Sequence, residues 1–185
     1  MEISNSVLGY LRVAMWATAA FLLSLPALAM QFFPAAGVDW SATDFVIMGV
    51  MLLVACSLVE LGLRLARNNL SYVAGAIVAV GTGFVTVWAN LAVGMILSER
   101  NPENFVFLGV IAIALAGGML ARFSARGLSR STLAAGILQG LIALVVAVAG
   151  LDNLYTATLI AAFALPWLLA AGLFHWAAQD ARVPA

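Results

Sequence analysis

Trp88-Ala89-Asn90-Leu91-Ala92-Val93-Gly94, followed by Ser98-Glu99-Arg100-Asn101-Pro102-Glu103-Asn104, is the densest run of polar side chains in a chain of 185 residues. Carboxamides and carboxylates gathered at one mouth of a membrane protein could attract a cation or solvate a polar solute, and Asp44 offers a further acid at the start of another apolar run. The same residues also fit a plainer task. Asn101-Pro102-Glu103 is what a helix start needs: a capping oxygen, a proline at the first helical position, and a carboxylate on the positive end of the helix dipole. Ser41-Ala42-Thr43-Asp44 has the spacing of a capping box, and Asp152-Asn153 suits the start of a later helix. Asn90 reads as lying about seven residues, or ~10 Å, inside the outer end of its span. There it serves as a packing clamp, through an interhelical hydrogen bond worth about 0.6–2 kcal/mol, or it lines an external vestibule with Glu99 and Arg100. Gln139, in a later span, carries the same two readings.

Other chemistry is scarce. The chain has no lysine, so a retinal or pyridoxal Schiff base has no amine to form on. Cys56 is the only cysteine and excludes an intrachain disulfide; it reads as a small apolar core residue. His175 is the only histidine and sits beside Trp176, which leaves no bis-histidine haem ligation and no histidine metal cluster. Glu60 precedes Arg64 by four residues, the favourable order for a helical ion pair, and reads as structural. No nucleophile–base pair or paired carboxylates fall within the apolar runs, so no catalytic residue, metal or cofactor is expected. A net charge of zero and the lack of a basic cluster make nucleic acid an unsuitable partner.

These residues must be positioned by elements that lie in lipid. The chain is 65% hydrophobic and 9% charged, with a mean hydropathy of +1.11, whereas soluble domains carry roughly a quarter charged residues. Apolar runs fall at about 8–31, 45–63, 70–97, 105–121, 131–151 and 154–174, each close to the ~20 residues that cross ~30 Å of hydrocarbon. Six spans leave no loop long enough to fold alone, so a single transmembrane domain over 1–185 is expected. Arg12, Arg64, Arg67, Arg122, Arg126, Arg130 and Arg182 fall on one side of this map and only Arg100 on the other. Cytoplasmic loops are rich in Lys and Arg, so both termini are predicted to be cytoplasmic. Pro26-Ala27-Leu28-Ala29 has the small-residue pattern of a signal-peptide cleavage site, but the charge before it is poor and the apolar run continues, which reads as a retained helix. Pro26 and Pro166 are expected to bend their helices.

Two patterns organise the spans. Asp44-Phe45-Val46-Ile47-Met48-Gly49-Val50-Met51 returns as Asn104-Phe105-Val106-Phe107-Leu108-Gly109-Val110-Ile111, with four of eight positions identical. Each copy leads to an arginine-bearing turn and then to a span containing Ala-Gly, at Gly75 and Gly136, which predicts a duplicated helical hairpin in spans two–three and four–five. Small residues also form stripes. Gly75, Ala79, Gly83, Thr86, Asn90 and Gly94 share one side of the third span with Tyr72, and Gly136, Gly140, Ala143, Ala147 and Gly150 share one side of the fifth. Faces of this kind let helix backbones approach closely in lipid, and Gly75, Gly83, Gly94, Gly136 and Gly140 are the expected packing positions, with the third and fifth spans central.

The stretch from Trp88 to Asn104, with the apolar span after it that ends in Ala121-Arg122-Phe123, resembles an uncharacterised family of small bacterial six-span integral membrane proteins. That family is marked by Trp-x-Asn-x-Ala-Val-Gly, then Ser-Glu-x-Asn-Pro-x-Asn. The likeness covers roughly residues 70–125, about a third of the chain. It implies a multi-pass protein of the bacterial cytoplasmic (inner) membrane and carries no activity with it. With the composition, it leads to an all-α polytopic helix bundle surrounded by membrane lipid. Self-association or attachment to another membrane protein, as an accessory or scaffolding subunit, is the expected role; the alternative is a small-solute or ion pathway opening near Asn90.

Overall fold

The structure is a computed structural model that describes residues 5–66, 68–98 and 100–180, with side chains from Leu8 onward. Arg67, Glu99 and Arg182 lie outside the described residues. Among the described residues there is no strand, and six helical stretches are long and apolar enough to cross a membrane. They are Leu8–Phe32, Ala42–Leu65, Leu70–Ala92, Pro102–Leu120, Ala125–Ala149 and Leu154–Asp180. The chain is therefore an all-α multi-pass membrane protein. It divides into two compact units, the first ending at Asn68 and the second beginning at Asn69. That boundary separates the second span from the third, the two helices of the first repeat copy, whereas the two helices of the second copy pack together in one unit.

The first unit is an antiparallel hairpin of α1 (Asn5–Phe32) and α2 (Ala42–Leu65), joined through a short 3-10 turn at Pro34–Ala36. Gly37 ends that turn at φ +68°, a left-handed conformation that glycine adopts without a Cβ penalty. Ser41 then starts α2 with a complete capping box: its Oγ accepts from the Asp44 amide at 3.3 Å, and Asp44 Oδ2 accepts from the Ser41 amide at 2.8 Å. Leu23 of α1 packs beside Gly49 of α2, where an added methyl would make an ordinary 3.7 Å contact.

The second unit contains α3 (Leu70–Ala92), α4 (Val106–Leu120) preceded by a 3-10 turn at Pro102–Phe105, α5 (Ala125–Ala149), α6 (Leu154–Ala162) and α7 (Ala164–Asp180). Side-chain caps start most of these helices: Asn69 accepts from Tyr72 N, Ser124 from Gly127 N and Asn153 from Thr156 N. The sixth span is broken at Phe163, and Pro166 lies in the first turn of α7, where a missing amide has no helical acceptor to lose.

The fifth span is central as expected, packing on α4, α6 and α7, but the third packs chiefly on α7, and what links the two is α7. It packs on both α3 and α5, which make no substantial contact with one another. The reason lies in the side chains of the sixth span, α6 and α7 together. Ala157, Ile160, Ala164, Trp167, Ala171, Phe174 and Ala178 are all buried, and they recur with alternating steps of three and four, small then large. That is the spacing of a helix seam with a period near 3.5 residues, and it runs unbroken across the Phe163 interruption. Alanines admit neighbouring backbones while Trp167 and Phe174 fill the gaps between them. Ser129 of α5 adds a hydrogen bond, donating to the Ala171 carbonyl at 2.9 Å.

The turn between α4 and α5 is strained. Arg122 and Phe123 have φ of 51° and 54°, left-handed values that cost a non-glycine residue roughly 1–2 kcal/mol each. The Tyr72 hydroxyl donates to the Phe123 carbonyl at 2.7 Å, and Gly127 brings α5 so close to Ala121 that no side chain fits there. Surrounding contacts thus hold a conformation that the two residues would not adopt alone.

Candidate functional site

Helix α3 ends at Ala92, five residues before the limit that hydropathy alone indicates. Gly94, at φ +72°, turns the chain, and Met95 and Ile96 fold inward to 9% and 2% exposure. Asn90 therefore occupies the last turn of α3 and not a site seven residues within it. Gly94 is part of this loop and not of the helix face.

The inward fold buries backbone amides that need acceptors, and Asn104 supplies them. Its Oδ1 accepts from Met95 N at 3.0 Å and Ile96 N at 2.8 Å. Its Nδ2 donates to the carbonyls of Ile96 at 3.3 Å and Ser98 at 2.6 Å. A carboxamide has two lone pairs and two N–H donors, so this buried side chain is saturated. Asn101 caps the 3-10 turn, accepting from Glu103 N at 3.1 Å, and its Nδ2 donates to the Ile96 carbonyl and the Glu103 carboxylate. Arg100 and Glu103 are exposed. Asp152, from the α5–α6 turn, accepts from Leu97 N at 2.7 Å and holds that residue at φ 60°. The Leu97 amide, followed by the Asn153 amide, holds the Asp152 carboxyl below its ordinary pKa. In the repeat, Asp44 and Asn104 occupy equivalent positions but do different work: Asp44 is exposed and caps α2, whereas Asn104 is buried and ties a loop.

Asn90 Nδ2 donates to the Thr86 carbonyl at 2.8 Å and lies 3.1 Å from the Met95 sulfur. Its Oδ1 is buried with no partner among the described residues, as are Gln139 Oε1 and Trp167 Nε1. Gln139 is wholly buried, and its Nε2 donates to the Ile160 carbonyl, three residues before the break in the sixth span. The remaining singular residues are unremarkable in their contacts: Cys56 is buried, and His175 is exposed and paired along its own helix with Gln179. Among the described residues no group of three or more His, Cys, Asp or Glu could hold a metal ion.

The glycines of the two stripes differ in their surroundings. A methyl on Gly75 would press on the Phe174 ring at 3.1 Å, and one on Gly136 would meet Leu168 at 3.0 Å and Trp167 at 3.2 Å. The two Ala-Gly positions of the repeat are thus the places where α7 seats its large side chains. A methyl on Gly83 would make an ordinary 3.9 Å contact with Trp167, and one on Gly140 would meet nothing. A tighter approach than any of these, unmarked by the stripes, is at Gly117 of α4, where an added methyl would meet Ser131 Cβ at 2.6 Å.

Comparison with protein-family models, with curated protein sequences and with solved structures finds no match to this chain. The geometry is the only guide to its role. One group that sequence reading missed is in the first unit, where Arg12 of α1 donates to Glu60 of α2 and joins the Glu60–Arg64 pair. A partner 48 residues away on another helix leaves no periodic signal.

Proposed function

We propose that this protein is an accessory or scaffolding subunit of a bacterial cytoplasmic membrane, working through its helix faces with another membrane protein or a second copy of itself. The observation that carries this reading is where the polar groups go. Asn101, Asn104 and Asp152 each bond the backbone of the 93–104 segment, and Asp44 caps α2, so the side chains best suited to meeting a solute are engaged in the fold. No catalytic role belongs to this reading. Orientation with both termini in the cytoplasm is supported by Arg122, Arg126 and Arg130, which are exposed around the start of α5. Arg126 lies in the first turn of α5, at the positive end of that helix's dipole, where helix stability does not account for a cation, whereas a cytoplasmic turn does.

Purification from native membranes in mild detergent tests the proposal. A stoichiometric complex or a defined homo-oligomer is expected; a monomer without partner at every detergent concentration would remove it. A small-solute or ion pathway is the second reading, favoured by the unpaired, buried Asn90 Oδ1. In that case Asn90→Leu abolishes flux in liposomes while the fold persists; an accessory role gives no flux in either protein.

A further inference from the structure

At the end of the α1–α2 hairpin remote from the 33–41 connection, Glu60 Oε2 accepts from Arg12 Nε at 2.9 Å and Oε1 accepts from Arg64 Nε at 3.0 Å. One carboxylate thus holds two guanidinium groups, and the trio carries two positive charges against one negative, a net +1. Each arginine is engaged through Nε alone; among the described residues their terminal Nη groups make no other hydrogen bond. Side-chain exposure is 70% for Arg64, 42% for Arg12 and 18% for Glu60, so the anion is sheltered and the cations face outward. Beside them is a cleft of about 350 Å³ lined by Trp16, Ser57, Glu60, Leu61 and Arg64, a volume at the small end of ligand sites.

We propose that this cleft binds the phosphate of an anionic membrane-lipid headgroup. Guanidinium groups present N–H donors in a planar fork that matches phosphate oxygens; Arg64 lines the cleft, and Arg12, bonded to the same carboxylate, adds a second positive charge close by. Both oxygens of Glu60 are already engaged, which leaves it poorly placed to receive the ammonium of a zwitterionic lipid. Depth agrees with the assignment. Arg64 lies in the last turn of α2 and Arg12 in the second turn of α1, near the level of a lipid phosphate. Trp16 lies one turn further along α1, where an indole favours the boundary between headgroup and hydrocarbon. With Leu61 it forms an apolar wall against which the start of an acyl chain can lie.

The test uses the full chain in neutral detergent, titrated separately with phosphatidylglycerol, with phosphatidylcholine of the same acyl chains, and with sodium phosphate, binding being read by native mass spectrometry. Phosphatidylglycerol is expected to bind in preference to phosphatidylcholine. Arg64→Gln should weaken that binding about fivefold, the share of one basic residue near a membrane surface, while leaving the Arg12–Glu60 link between the helices intact. Glu60→Gln raises the local charge from +1 to +2 and is expected to preserve or tighten binding even as it lowers thermal stability, an outcome that a purely structural ion network does not produce. Equal retention of the two lipids, unchanged retention in Arg64→Gln, or loss of lipid binding in a folded Glu60→Gln protein overturns the proposal. Arginine-dependent binding of sodium phosphate without binding of either lipid overturns the lipid assignment.

Discussion

Replacing Asn104 with leucine removes four hydrogen bonds at once and leaves the amides of Met95 and Ile96 without acceptors in a buried setting. A buried donor stripped of its partner costs about 1–3 kcal/mol, so a loop that keeps its place loses about 2–6 kcal/mol. The loop has another course: it can swing out and hydrate those amides, but Met95 and Ile96 then leave the core, at roughly 1.5–3 kcal/mol each. The two routes have similar costs, so neither offers a cheap escape, and a loss of about 3–5 kcal/mol is expected. Unfolding in mixed micelles with a rising fraction of denaturing detergent measures the loss, and hydrogen exchange at residues 95–98 reports whether the loop has opened. Asn104→Asp keeps two acceptor oxygens for the amides and sets them against the Ile96 and Ser98 carbonyls, so it should fall between the wild type and Asn104→Leu. An Asn104→Leu protein within about 0.5 kcal/mol of wild type, with unchanged exchange at Met95 and Ile96, would refute the role given to this residue.

Other expectations follow from the same geometry. Gly136→Leu must displace Leu168 and Trp167 and should destabilise by about 1–3 kcal/mol or more, whereas Gly140→Ala adds a methyl into open space and should be neutral or stabilising by up to about 1 kcal/mol; thermal unfolding of the two variants in the same detergent separates them. Asp152 is held below its ordinary pKa in the fold, so its contribution is present above the unfolded value of about 3.9 and disappears as pH falls further, through the folded value. The Leu97 amide resonance should therefore shift below about pH 4 in the wild type and stay flat in Asp152→Asn. In a Cys56→Ala background, a cysteine at position 126 should react only from the cytoplasmic side and one at position 39 only from the external side; the reverse pattern would invert the topology.

Number and type of elements were legible because apolar length alone decides what crosses lipid. Where α3 stops was not, since Val93, Met95, Ile96 and Leu97 count as span by hydropathy although Gly94 turns them out of the helix. Asn104 shows a related ambiguity: the features that make Asn101-Pro102-Glu103-Asn104 a plausible helix start also suit a loop tie, and only the buried amides of Met95 and Ile96 decide which is made. The alternation from Ala157 through Trp167 to Ala178 was readable, but alanine carries a weaker packing signal than glycine, and the glycine stripes drew attention to α3 and α5. The Arg12–Glu60 contact had no local trace.

The place of α7 between α3 and α5 has a consequence for how the protein is made. Gly75 and Gly136 open grooves in α3 and α5 whose filling, Phe174, Trp167 and Leu168, belongs to a helix synthesised after both. Translation from residue 150 to residue 180 takes roughly 1.5–6 s at 5–20 residues per second. During that interval the earlier helices lie in the bilayer with their grooves open, and any helix with a suitable large side chain is a competitor for them. A chain arrested before α7 keeps those grooves permanently, and such a fragment is the form of this protein most exposed to mispairing and to membrane proteases.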